Sequence, residues 1–126
     1  MTGRAAEGRW GEDYAADYLS REGYEIVARN WHCRYGEIDV IAKKGEILAF
    51  VEVKTRKTGS LTTPEEAISP SKIRKLRLSV ECYLTEHWDP ALQPRFDVAA
   101  LIVKPGNPYT LEDFRYYESA FEGADN

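Results

Sequence analysis

The sequence has few of the residues that build disulfide frameworks or structural zinc sites. Its 126 residues include two cysteines, Cys33 and Cys82, which lie far apart and form no CxxC pair. The two histidines, His32 and His87, do not complete a four-ligand zinc pattern with them. We therefore expect two reduced, buried or half-buried thiols, and a disulfide is disfavoured in a cytoplasmic protein.

Long hydrophobic runs are also missing. No apolar stretch approaches the roughly 20 residues that span a bilayer. The first residues, MTGRAAEGRWGEDY, are too polar for the apolar region of a signal peptide. We expect a soluble cytoplasmic protein with no membrane partner.

Positive charge is in deficit overall but concentrated in one segment. The net charge of −4 argues against strong affinity of the whole chain for nucleic acid. Between Lys54 and Leu78, however, seven basic and two acidic residues give a net charge of +5, so the rest of the chain carries −9. This asymmetry indicates either a local anion-binding patch or a solvated helix face, and charge alone leaves both open.

The pattern of apolar residues, glycines and prolines predicts a helix, three strands, a helix and a fourth strand. The expected bounds are residues 4–21, 24–33, 35–43, 46–56, 70–87 and 95–104. Residues 109–121 form either a fifth strand or a short helix. With 43% hydrophobic residues and no long linker, this order predicts one α/β domain over residues 8–121, a central mixed sheet flanked by helices, and a frayed tail at 122–126.

Three charged residues stand inside the strongest predicted strands. Glu52 and Lys54 are two residues apart and project to the same side of their strand. The preceding strand carries Asp39, and a hairpin closing near residues 44–45 brings this acid close to Glu52. A buried carboxylate needs compensation. It can come from an ion-pair network with Lys54, or from Mg²⁺ held by the two acids and a strand carbonyl, with the lysine assisting a metal-bound water.

An acid in the first predicted helix extends this cluster. Glu12 shares a helix face with small or apolar residues, namely Ala5, Gly8, Ala15 and Leu19. The face predicts that Glu12 points toward the sheet and adds a ligand, directly or through water. The alternative is a half-exposed side chain at the edge of that face.

Several segments together resemble a known family. They are GRWGEDYAADYLSREGYEIVARNW, GEIDVIA, FVEVKTR, PEEAI and FDVAAL. Over about residues 8–121 they resemble the YraN-type uncharacterised bacterial protein family. The helix acid, Asp39 and Glu52-Val53-Lys54 also resemble the PD-(D/E)XK nuclease superfamily, although Ile38 replaces its proline. That resemblance implies a restriction-endonuclease-like αβββαβ sandwich, similar to archaeal Holliday-junction resolvases.

The resemblance also implies a function and assigns residues to it. It implies a metal-dependent DNA endonuclease that uses Mg²⁺, or Mn²⁺, prefers branched DNA and acts as a homodimer. The implied metal ligands are Asp39, Glu52, the Val53 carbonyl and Glu12, and these three acids with Lys54 form the implied catalytic set. Arg56, Lys72 and Lys75 are the predicted contacts to the DNA backbone. The alternative is a catalytically silent nucleic-acid-binding or interaction module that retains the fold.

Overall fold

The fold, in a computed structural model that describes residues 3–121, is a five-stranded mixed sheet with two helices. In chain order its elements are α1 (Gly3–Arg21), β1 (Glu25–Cys33), β2 (Gly36–Lys44), β3 (Ile47–Lys57), α2 (Pro70–Glu86), β4 (Gln93–Lys104) and β5 (Thr110–Tyr117). The strand order is β1-β2-β3-β4-β5; β3 and β4 are parallel and all other neighbours are antiparallel. The predicted α/β sandwich is confirmed, and the open choice for the last element resolves as a strand. The predicted tail, residues 122–126, lies outside the described residues.

The two helices cover opposite faces of the sheet. Ala49, Val51 and Val53 of β3 pack in the cluster that contains α1. Leu48 and Phe50 pack in the cluster that contains α2. This alternation makes β3 a strand buried on both faces, which explains its continuous apolar run. Each large apolar side chain buried there contributes about 1.5–3 kcal/mol.

The face that α1 turns to the sheet is rotated from the predicted one. The buried residues of α1 are Glu7, Gly11, Ala15, Ala16 and Leu19. A side chain at position 11 would overlap Thr55 of β3, so glycine permits the close approach of helix and strand. Gly8 and Glu12 are half-buried at the edge of this face, and the side chain of Ala5 lies outside the described ones.

The start of α2 is fixed by local capping. A capping box forms before it, with Thr63 Oγ1 accepting the Glu66 N–H at 3.2 Å and Glu66 Oε1 accepting the Thr63 N–H at 2.8 Å, but this box opens only a short 3₁₀ turn. Ser69 Oγ then accepts the Lys72 N–H at 3.1 Å, with Pro70 at the first helical position. These caps place Lys72 in the first turn of α2.

Membrane insertion through a helix finds no support in the part of the chain that the structure describes. Neither helix combines the length and the apolar character that a bilayer crossing requires.

Candidate active site

The sheet opens between β2 and β3 at the level of the predicted acids. The two strands pair with each other from Lys44–Ile47 to Val40–Val51. Past that pair, residues 36–38 of β2 pair with β1, and residues 52–57 of β3 pair with β4. Asp39 and Glu52 are the first residues beyond the shared ladder. The opening lets acids from both faces of the sheet approach each other.

Asp39 is a buried carboxyl group among other acids. It is 8% exposed, and its Oδ2 accepts the Val53 N–H at 2.8 Å. Burial is the largest cause that raises the pKa of Asp39 to about 8, and the charge of Glu52 is the next. The hydrogen bond from Val53 lowers this pKa in part, whereas the charges of Glu12 and Glu37 raise it further. Negative charge is therefore concentrated around Asp39, in agreement with the prediction that the hairpin brings Asp39 close to Glu52.

This raised pKa predicts a pH dependence of stability. A carboxyl group whose pKa rises from 3.8 to about 8 on folding binds more protons in the folded state. Its contribution to the free energy of unfolding must then fall as the pH rises between about 4 and 8, by on the order of a few kcal/mol. Asp39→Asn keeps an acceptor for the Val53 N–H and removes the titrating group. In urea unfolding with EDTA present, the free energy of unfolding of Asp39→Asn minus that of the wild type should increase from about pH 4 to pH 8.

An exposed aspartate provides the control for this measurement. Asp17 lies on the outer side of α1, so Asp17→Asn should give a curve parallel to that of the wild type. A parallel curve for Asp39→Asn would contradict the raised pKa.

Glu52 is a buried carboxylate with only one of its oxygens engaged. The residue is 2% exposed. Its Oε2 lies 3.3 Å from Lys54 Nζ and 3.4 Å from Lys72 Nζ. Its Oε1 is buried and has no hydrogen-bond partner among the described residues. An unsatisfied carboxylate oxygen at this depth costs free energy, so the position calls for a further partner.

The buried acid Asp97, in β4, shows how this fold satisfies a carboxylate completely. Asp97 is 0% exposed. Arg95 donates to both of its oxygens, with Nε at 2.9 Å from Oδ1 and Nη2 at 2.8 Å from Oδ2. The Tyr116 hydroxyl donates to Oδ2 at 2.6 Å, and the Ser119 N–H donates to Oδ1 at 3.1 Å. The open oxygen of Glu52 therefore contrasts with the satisfied oxygens of Asp97, although Glu7 Oε1 is likewise buried without a partner among the described residues. What marks the Glu52 site is the open oxygen together with a second buried carboxyl group, Asp39, beside it.

Asn30 positions the helix acid and was not predicted. Asn30 has a positive φ of 50° within β1, between the pairs Arg29–Val40 and Trp31–Ile38, and so lies opposite Asp39. Its Nδ2 donates to Glu12 Oε1 at 2.8 Å. Glu12 is half-buried and close enough to raise the pKa of Asp39. The sequence signal is an asparagine inside a strand, because asparagine tolerates positive φ better than other non-glycine residues.

The acids do not assemble into a larger ligand cluster. Among residues 3–121, no group of three or more Asp, Glu, His or Cys side chains is arranged to hold a metal ion. Two acids, Asp39 and Glu52, lie where β2 and β3 separate, while Glu12 accepts a hydrogen bond from Asn30.

The predicted DNA contacts separate into two groups. Lys72 lies against Glu52 and so joins the site. Lys75 is exposed on α2, and within the described chain it has no acidic partner inside 4.0 Å. Arg56 donates from Nη1 to the Thr55 carbonyl at 3.0 Å and, with Lys57, lines a cavity of about 400 Å³. Arg56 and Lys75 thus stay outside the ion pairs that Lys54 and Lys72 form with Glu52.

Comparison with known proteins identifies close relatives. The model of the uncharacterised protein family UPF0102 matches residues 11–101. A UPF0102 protein of Nocardia farcinica is 45% identical over 104 residues, covering 82% of each chain. One of Rhodococcus opacus is 45% identical over 118 residues, covering 91% of this chain and 98% of its own. These similarities confirm the YraN-type resemblance.

Proposed function

The chain belongs to the uncharacterised protein family UPF0102, and from the geometry of its own residues we propose that it is a divalent-metal-dependent DNA endonuclease. The observation that carries this proposal is the buried, unpartnered Oε1 of Glu52 beside Asp39, whose pKa is raised by burial first and by neighbouring acids second. A divalent cation compensates both features at once, because it supplies a partner to an open oxygen and offsets the repulsion between the carboxylates.

The donor set fits Mg²⁺ or Mn²⁺. The ion would be held by Asp39, Glu52 and the Val53 carbonyl. Glu12 would support the ion through water, and the hydrogen bond from Asn30 fixes the orientation of the Glu12 side chain. Hard oxygen donors with vacant positions for water are what Mg²⁺ prefers. When bound, such an ion polarises a phosphate and lowers the pKa of a coordinated water.

Two lysines supply the positive charge beside these acids. Lys54 Nζ and Lys72 Nζ lie 3.3 Å and 3.4 Å from Glu52 Oε2. A phosphodiester gains negative charge at its non-bridging oxygens as it is hydrolysed. Either positively charged group would stabilise that charge, and Lys54, on the same strand face as Glu52, is the catalytic lysine of the proposal.

Binding of DNA to an acidic protein needs a local basic surface. The segment from Lys54 to Leu78 carries +5 against −9 elsewhere. Arg56 and Lys75 lie in this segment, and such cations contact phosphates without reading sequence. Selectivity therefore comes from DNA shape, and we propose branched DNA as the preferred substrate. Because resolving a branch requires two cuts, the proposed form is a homodimer acting in the cytoplasm, where DNA is found.

One observation favours a second candidate function. Lys54 and Lys72 already share Glu52 Oε2, which is an ion triad that specifies the fold without a metal. In that case the protein binds nucleic acid, or a protein partner, and does not cut.

A cleavage and binding experiment separates the candidates. Purified protein is incubated with a four-way DNA junction and with linear duplex in Mg²⁺, Mn²⁺ or EDTA. We expect metal-dependent cutting with preference for the junction, and a rise in melting temperature on adding Mg²⁺ without DNA. Binding that weakens steeply with salt but never leads to cutting would support the silent module. Absence of both cutting and binding would overturn the proposal.

A further inference from the structure

A pair of cysteines lies where the β1–β2 turn meets α2. Cys33 ends β1 and pairs with Gly36 across the turn, and Cys82 lies in α2. Two contacts flank the pair. The rings of Trp31 and Tyr83 meet edge to face with centroids 5.3 Å apart. On the other side, a Cβ at Gly36 would lie 3.6 Å from Ser79 Oγ. Both thiols are half-buried, so they remain within reach of small solutes.

The two thiols interact with each other and differ in character. Burial raises the pKa of Cys33, but neighbouring polar groups outweigh it and the net pKa is lowered. Those groups are the Ser79 hydroxyl, which itself donates to the Lys75 carbonyl at 2.9 Å, the backbone of Tyr35 and Gly36, and the Cys82 thiol, which also lies 3.9 Å from Glu86 Oε2. Burial and the neighbouring Cys33 raise the pKa of Cys82. Cys33 is therefore the better thiolate and Cys82 the thiol that lies beside it.

We propose that Cys33 is an oxidation site for hydrogen peroxide or an organic hydroperoxide, and that Cys82 resolves the oxidised product into an intramolecular disulfide. The Cys33 thiolate attacks one peroxide oxygen, an S–O bond forms, the O–O bond breaks, and the leaving oxygen is protonated. Cys33 becomes a sulfenic acid while the peroxide is reduced. The Cys82 sulfur then attacks the Cys33 sulfur, the S–S bond forms, the S–O bond breaks, and water leaves with the thiol proton.

The disulfide would fasten the middle of α2 to the end of β1. It closes a chain loop from Cys33 to Cys82, and restricting a loop of this length stabilises the folded state. The expected rise in melting temperature is roughly 5–15 °C. This inference does not depend on the proposed nuclease activity, since neither cysteine belongs to the acidic site.

The test follows the thiols directly. Wild-type protein is treated with hydrogen peroxide and examined by thiol titration, intact mass and non-reducing electrophoresis. We expect both thiols to disappear together with a loss of two hydrogen atoms, in a monomer, reversed by dithiothreitol and accompanied by the higher melting temperature. In Cys82→Ser, Cys33 should gain one oxygen atom and become reactive to dimedone. In Cys33→Ser, Cys82 should react at least about tenfold more slowly.

Two results would overturn the proposal. One is a wild-type product in which the thiols are lost to intermolecular dimers. The other is an equal peroxide rate for the remaining thiol in the two serine variants. Peptide mapping of the wild type alone decides the first point, so the test does not rely on the variants folding.

Discussion

Replacing Glu52 with glutamine should reduce metal-dependent DNA cleavage by about 10³-fold or more, because loss of a metal ligand removes several kcal/mol of transition-state stabilisation. The substitution keeps the volume of the buried side chain and removes its charge. It also leaves Lys54 and Lys72 facing an amide instead of a carboxylate. Cleavage rates under single-turnover conditions, with Mg²⁺ binding followed by calorimetry, measure both consequences.

The matched control is an exposed glutamate. Glu112 lies on the outer side of β5, so Glu112→Gln should cut at the wild-type rate. Circular dichroism and a melting curve establish that Glu52→Gln is folded before its activity is compared. If the variant is folded and cuts within about tenfold of the wild type, the acidic site does not carry the activity. In that event the activity resides elsewhere or in a contaminant.

The sequence was sufficient to predict the sheet and the proximity of its acids. Alternation and turn residues placed β2 and β3 within a few residues of their observed bounds, and the hairpin between them brought Asp39 beside Glu52. These are local relations, set by side-chain direction along one hairpin. The residue spacing of Glu52 and Lys54 was likewise enough to place both on the same side of their strand. In the structure Lys72 of α2 lies 3.4 Å from Glu52 on that side.

Relations between elements distant in sequence could not be predicted in the same way. The face of α1 depends on how closely Gly11 approaches Thr55, a contact that no spacing within the helix reveals. Lys72 was expected at a DNA phosphate, and its contact with Glu52 depends on how α2 crosses the sheet. The final segment is a strand because β4 offers it an edge to pair with. Propensity within residues 109–121 contains no information about that edge.

Asn30 illustrates a further limit. Strand periodicity treats it as one more residue of β1, although its positive φ interrupts the regular pairing opposite Asp39. The interruption turns the Asn30 amide toward Glu12. Sequence patterns identify the acids through their chemistry, whereas an asparagine inside a strand indicates only that a positive φ is tolerated there, and its contact with Glu12 is seen only in the structure.

The contrast between Glu52 and Asp97 leads to the largest expected effect on stability. Asp97→Asn should destabilise the protein by about 3–5 kcal/mol, because it leaves the half-buried Arg95 guanidinium with only the exposed Glu118, 3.8 Å away, as a charged partner. The raised pKa of Arg95, caused first by its hydrogen bonds to Asp97, is consistent with a strong interaction. Urea unfolding gives the change in free energy, and the melting temperature should fall by roughly 10–20 °C.

A second Asp–Arg pair in the same sheet provides a control of equal spacing and different burial. Asp113 Oδ2 lies 2.9 Å from Arg115 Nε, with side chains 40% and 57% exposed, against 0% and 15% for Asp97 and Arg95. Asp113→Asn should therefore lower the free energy of unfolding by no more than about 1 kcal/mol. Since Asp97 is fully satisfied by protein donors, Asp97→Asn should leave the affinity for Mg²⁺ unchanged wherever the variant is folded. Equal losses of stability in the two variants would show that burial does not set the strength of these pairs. A reduced affinity for Mg²⁺ in Asp97→Asn would show that Asp97 is coupled to Glu52.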